Sequence, residues 1–197
     1  KIKGEIINAD SLQVYKDLKI LTARPLKKDN KKIQHHLYGF IEGKKNFSTG
    51  DWLNLATKKI EEIKGRQKIP ILVGGTGLYY KALVDGLVKI PSIPIAFRNK
   101  VRKLHRHLGQ KTFYKKLIKI DPISTGQIKS TDVQRSIRAY EVKLFTKKSI
   151  FKWYKNTKSN FKKNDFYKII IDFPRTKLIE KINERSIRMI ENGAISE

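Results

Sequence analysis

Cysteine is absent from the 197 residues, which excludes disulfides and thiolate metal sites and fits a reducing compartment. Long apolar runs are lacking too. None approaches the roughly 20 residues that span a bilayer, and no signal-peptide pattern opens the chain. A soluble, cytoplasmic protein without a membrane partner is expected. Histidine is sparse: His35-His36 and His105-x-His107 are the only ones, the second pair in a cationic stretch that repels metal ions. No metal site is expected in this chain. Nor does it contain the G-x-x-x-x-G-K-[ST] run of a phosphate-cradling loop.

Acid is scarce beside base. Against 44 Lys+Arg stand 18 Asp+Glu, a formal net charge of +26 that repels itself unless a polyanion compensates it. The excess is uneven: +9 over residues 1–97, +17 over 98–164 and zero over 165–197. The middle stretch interleaves its cations with Phe113, Tyr114, Tyr140, Phe145, Phe151, Trp153, Tyr154 and Phe161. Basic stems and aromatic platforms are the composition of a nucleic-acid surface. A uniform lysine bias would have charged the C-terminal stretch as well.

The 39% of hydrophobic residues suffices for a real core. "EIINADSLQVY" reads as a buried strand ending on Asp10-Ser11. Two readings of Asp10 stay open: it caps the following turn, or it is an active-site carboxylate beyond the carboxyl end of a strand. Lys27–Lys32 reads as a loop after Pro25. In "STGDWLNLATKKIEEIKG", Ser48 and Asp51 have capping-box spacing, Trp52, Ala56, Ile60 and Ile63 form one stripe, and Gly65 is the stop. A strand from Ile69 to Val73, the glycine turn "GGTG" and a helix from about Leu78 to Leu87 follow. The turn lets backbone approach backbone or a phosphate, and Thr76 within it can donate to a ligand.

Helices are expected next. "TDVQRSIRAYEVKLF" is the strongest, with Thr131 and Gln134 at capping-box spacing and Val133, Ile137, Tyr140 and Leu144 on one stripe. Its Arg135 and Arg138 share a face with Gln134, suited to phosphates or to solvent. A strand at Lys168–Asp172 and a helix at Lys177–Asn192, with Leu178, Ile182, Met189 and Ile190 inward and Gly193 after it, resume the α/β alternation. The expected organisation is an α/β core at 1–97 and 165–197, interrupted by a basic, all-helical insertion at 98–164.

Taken in order and spacing, "GEIINADSLQVYKDLKILTARP", "HHL", "FSTGDW", "IPILVGGTGLYYKALVDGL" and "DVQRSIRAYEV" resemble the tRNA dimethylallyltransferases (tRNA isopentenyltransferases) over nearly the whole chain. The resemblance implies a P-loop NTPase-like parallel-sheet core whose helical insertion grips the anticodon stem-loop of tRNA. It implies transfer of a dimethylallyl group from dimethylallyl pyrophosphate, with Mg²⁺, to the exocyclic N6 amine of the adenosine 3′-adjacent to the anticodon.

By the same resemblance Asp10 is the general base on that amine, and Ser11, Leu12 and Gln13 complete the contact to a flipped base. Thr76, Arg98 and the segment Gln134, Arg135, Ser136, Ile137 and Arg138 match tRNA-contacting positions, and Arg185 matches an arginine near the pyrophosphate. Leu21 stands where the family usually has glycine. The chain begins at Lys1 and its one methionine is Met189, so it is read as a fragment without the N-terminal P-loop and the C-terminal end; a monomer is expected. Two rivals remain: a non-catalytic RNA-binding module of the same fold, and a relative of small-molecule P-loop kinases, against which the charge of the insertion argues.

Overall fold

The computed structural model describes residues 3–155 and 157–197. It divides into two units, Lys1–Asp85 with Ser159–Glu197, and Gly86–Lys158. The borders fall before the expected 98 and 164. Ile90 and Ile93 pack with the insertion's core, whereas Phe161 and Phe166 pack with the core of the first unit.

The first unit is built on a parallel sheet. Strand β1 (Gly4–Asn8) lies between β2 (His35–His36) and β3 (Ile69–Val73). Ile6 pairs with His35, and Gly4 to Asn8 pair in step with Ile69 to Val73. Helix α2 (Thr49–Gly65) starts as its capping box dictates: Ser48 Oγ accepts from the Asp51 N–H at 3.2 Å and the Asp51 carboxylate accepts from the Ser48 N–H at 2.9 Å. Its stripe Trp52, Ala56, Ile60 and Ile63 is buried against Ile7, Ala9, Tyr79 and Leu83. Helix α3 (Gly77–Asp85) follows the glycine turn.

Three expectations fail here, the last two because local pattern does not specify partners. The Lys27–Lys32 stretch is a short helix, α1, closed by the Asp29 carboxylate accepting from the Leu26 N–H. The run at Lys168–Asp172 has no regular secondary structure and no strand partner, leaving Ile169, Ile170 and Ile171 78–91% exposed. A β-rich segment becomes a strand only when a neighbour satisfies its backbone. Helix α7 (Arg175–Glu191) forms, yet Leu178, Ile182 and Ile190 lie exposed and Met189 only partly covered. Gly193 beyond it takes the left-handed φ of 88° that a helix C-terminus favours.

The second unit is helical throughout: α4 (Ile95–Ile120), broken at Gly109, where φ is 69°, then α5 (Val133–Thr146) and α6 (Ile150–Tyr154). Phe113, Leu117, Ala139, Tyr140, Val142 and Ile150 form its core. Asp132 caps α5, accepting from the Arg135 N–H at 3.0 Å, in place of the expected Thr131. Of the expected stripe only Tyr140 is fully buried, because Ser136, Ala139 and Val142 turn the helix inward instead. Among the described residues no helix is long and apolar enough to cross a membrane.

Candidate active site

Parallel pairing of β1 and β3 puts their carboxyl ends side by side. The Ala9 N–H donates to the Val73 carbonyl at 2.8 Å, and the Thr76 N–H donates back to the Ala9 carbonyl at 3.1 Å. Gly74 makes this approach possible: a Cβ there would stand 2.2–2.6 Å from the Ala9 carbonyl group and the Asp10 nitrogen. The hydroxyl of Thr76 then accepts from the Ser11 N–H at 2.9 Å and lies 3.3 Å from Ser11 Oγ. Residues 65 positions apart thus share one loop cluster.

Asp10 is half-buried at the centre of this cluster. Its Oδ1 accepts from the Leu12 N–H at 2.8 Å and more weakly from the Gln13 N–H at 3.4 Å, so it does cap the turn. Capping leaves Oδ2 available: among the described residues it accepts no hydrogen bond, and one well-aimed oxygen is what a general base requires. Gln13 is partly committed, since its Nε2 donates to the Thr22 carbonyl at 2.8 Å. Leu12 is 57% exposed, an apolar side chain standing on the loop beside Asp10.

Asn8 was not among the expected site residues, although it determines where Asp10 sits. Fully buried, it accepts from the Asp10 N–H at 2.8 Å and donates Nδ2 to the carbonyls of Asp10 and Leu37 at 2.9 and 3.0 Å. Its signal was present as a polar residue inside the run Ile6–Ala9, because a buried amide must find partners. Deeper in β1, Glu5 is 1% exposed and meets Arg66 at 2.7 Å, Lys68 at 2.8 Å and His36 at 2.6 Å. The bonds from Arg66 and Lys68 hold its carboxyl at about 2, against the opposing pull of burial.

The remaining expected residues lie elsewhere. Arg185 is exposed on α7, in a shallow groove with Leu178, Lys181, Ile182 and Arg188. Arg98 and Gln134–Arg138 belong to the second unit. There Arg135 pairs with Asp132 at 3.0 Å and Arg138 approaches the buried Glu141 at 3.6 Å. Ser136 is fully buried, its hydroxyl donating to the Asp132 carbonyl at 2.6 Å, so it braces α5 from inside. Ile137, with Asn99, Arg102, Lys103, His105 and Arg106, lines a cationic concavity of about 590 Å³.

Residues 13–197 match the family model described as IPP transferase. The chain belongs to the IPP transferase family. Within this family it is 60% identical to the tRNA dimethylallyltransferase of Pelagibacter ubique (strain HTCC1062), an alignment covering all of this chain and 63% of the relative. It is 43% identical to that of Rickettsia bellii (strain OSU 85-389), over 98% of this chain and 62% of the relative. The chain therefore spans somewhat under two thirds of the length of these relatives. Among solved structures, a eukaryotic dimethylallyltransferase acting on tRNA superposes with a TM-score of 0.78 at 28% identity, over 98% of this chain and 48% of that one. The tRNA isopentenylpyrophosphate transferase of Bacillus halodurans matches at 0.59 and 32%, over 99% and 60%. The α/β class read from the sequence is that of these IPP transferase structures.

Proposed function

We propose that the whole protein containing this chain transfers a dimethylallyl group from dimethylallyl pyrophosphate to the N6 amine of the tRNA adenosine 3′-adjacent to the anticodon. The observation that carries this is Asp10, oriented by Asn8 and by its own loop so that one carboxylate oxygen points away from its hydrogen bonds. An adenine amine is a weak nucleophile. Asp10 takes its proton as nitrogen bonds to the allylic carbon, while the carbon–oxygen bond to pyrophosphate breaks. Exposed Leu12 and the Gln13 amide oxygen, which accepts no hydrogen bond among the described residues, offer an apolar contact and an acceptor to a base turned out of its stack.

Arg185 is the cation on α7 assigned to the leaving pyrophosphate. Among the described residues no group of three or more His, Asp or Glu converges as metal ligands. Magnesium in this reading comes with the phosphates of the diphosphate donor. The P-loop is assigned to a further strand. Among the described residues β3 stands at the margin of the sheet, paired on one side only, and the Phe166–Phe173 tract is unpaired, so both could take a further strand.

The second unit carries 19 basic and 3 acidic residues, which suits it to the phosphates of an anticodon stem-loop. The test is transfer from labelled dimethylallyl pyrophosphate to bulk tRNA by the whole protein acting as a monomer. Label on the adenosine beside the anticodon, lost in Asp10→Ala, supports the reading. Binding without transfer would make the protein an RNA-binding module.

A further inference from the structure

The turn beyond α7 ends on Glu197, a side chain the reaction above does not use. Its Oε1 accepts from the backbone N–H groups of Lys19 and Ile20, both at 2.7 Å, and its Oε2 from Ile20 at 2.8 Å and Leu21 at 3.0 Å. Three consecutive amides converging on one carboxylate form an anion nest. Although desolvation by the loop raises its pKa, the bonds from Leu21, Ile20 and Lys19 and the charge of Arg24 outweigh that, and the carboxyl stays below its ordinary value. Glu197 is thus held in its anionic form on this loop.

What the nest holds matters for Asp10. The loop from Lys16 to Arg24 closes on itself through the Thr22 hydroxyl, which donates to the Leu18 carbonyl at 2.6 Å, and through Arg24, which donates to the Tyr15 carbonyl at 3.0 Å. The Thr22 carbonyl receives the Gln13 amide, and the Gln13 backbone lies against Asp10 Oδ1. Contacts therefore run without a gap from Glu197 through Lys19–Leu21, Thr22 and Gln13 to Asp10. At the other end of the same path is α7, which buries none of its own residues and so gains little position from packing.

We propose that Glu197 is a positioning residue that latches α7, and with it Arg185, to the loop that orients Asp10. Resting on the transferase reading, this gives the two halves of the reaction, diphosphate departure and amine deprotonation, a common mechanical reference. The latch acts on geometry in the ternary complex, not on tRNA affinity. An error of the order of an ångström in such an alignment costs up to about a hundredfold in rate.

The test uses the whole protein with Glu197→Ala and Glu197→Gln, reading amide hydrogen exchange at Lys19–Leu21, kcat for prenyl transfer, tRNA Kd and Tm. In Glu197→Ala, exchange at the three amides should rise about tenfold or more. kcat should fall about ten- to a hundredfold, while Kd stays within about twofold. Glu197→Gln keeps the size and one acceptor but sets an NH₂ donor against the remaining amides, so it should recover exchange protection and kcat together but only in part. Faster exchange with unchanged kcat would overturn the proposal, as would unchanged exchange, or a kcat loss matched by equal losses in Kd and Tm. Wild-type protein that transfers nothing would overturn the functional reading instead, and the exchange data on the same samples would separate the two failures.

Discussion

The indole N–H of Trp52 donates to the carbonyl of Asn8 at 2.8 Å, with both side chains fully buried. Helix α2 thereby grips the residue that grips Asp10, and Tyr79 stacks on the same indole with ring centroids 4.3 Å apart. Trp52→Phe should keep most of the packing but lose that donor. The expected cost is about 1–2 kcal/mol in urea unfolding, with a larger proportional loss in transfer than in tRNA binding.

Asp10→Asn preserves the turn, because its amide oxygen still accepts from the Leu12 N–H. It removes the base. Transfer by the whole protein should fall about 10²- to 10⁴-fold while tRNA affinity and Tm remain within error. A variant that keeps more than a tenth of the wild-type rate would remove Asp10 from the mechanism.

Gly74→Ala tests the approach of the two strand ends. The added carbon meets only backbone, the Ala9 carbonyl group and the Asp10 nitrogen, which has no rotamer by which to escape. A loss of about 1–3 kcal/mol is expected from the forced shift, together with chemical-shift changes at Asp10, Ser11 and Thr76.

Glu5 predicts a pH dependence. Its carboxyl sits at about 2 in the fold, below its ordinary 4.5, so the stability it contributes is complete above about 4.5 and is lost as pH falls toward 2. The contribution is about 2–3 kcal/mol, reduced by the partial solvent exposure of Arg66 and Lys68. Glu5→Gln should therefore be less stable than wild type at neutral pH. Melting curves from pH 6 down to pH 2.5 should show the difference shrinking through that window.

The cationic concavity on α4 and α5 offers a salt test. Replacing Arg102 and Arg106 with Ala should weaken RNA binding by similar factors across sequences and reduce the slope of log K against log salt by about one per arginine. A sequence-dependent loss would assign these side chains to base contacts instead.

Much of the fold was legible along the chain. The Ser48–Asp51 box, the Trp52 to Ile63 stripe, the β3 run and the basic insertion are local or periodic signals, and such signals are written into consecutive residues. Asp10 was legible as an acid beyond an apolar run, and the resemblance of the surrounding motifs placed it in a family. The packing of α5 was less so: Thr131 was the expected cap, whereas Asp132 takes that place and Ser136 and Ala139 turn inward beside Tyr140.

Composition and pattern alone determined an α/β core, a cationic helical insertion and an acid at a strand end. Only the tertiary structure decided that Thr76 reaches Ser11, that Asn8 and Glu5 are buried with their partners, that Glu197 meets Lys19–Leu21, and that Lys168–Asp172 stays unpaired. The division is physical. Caps and stripes are satisfied by residues a few positions away, whereas ladders, buried ion pairs and carboxylate nests depend on groups that only folding brings within hydrogen-bond distance.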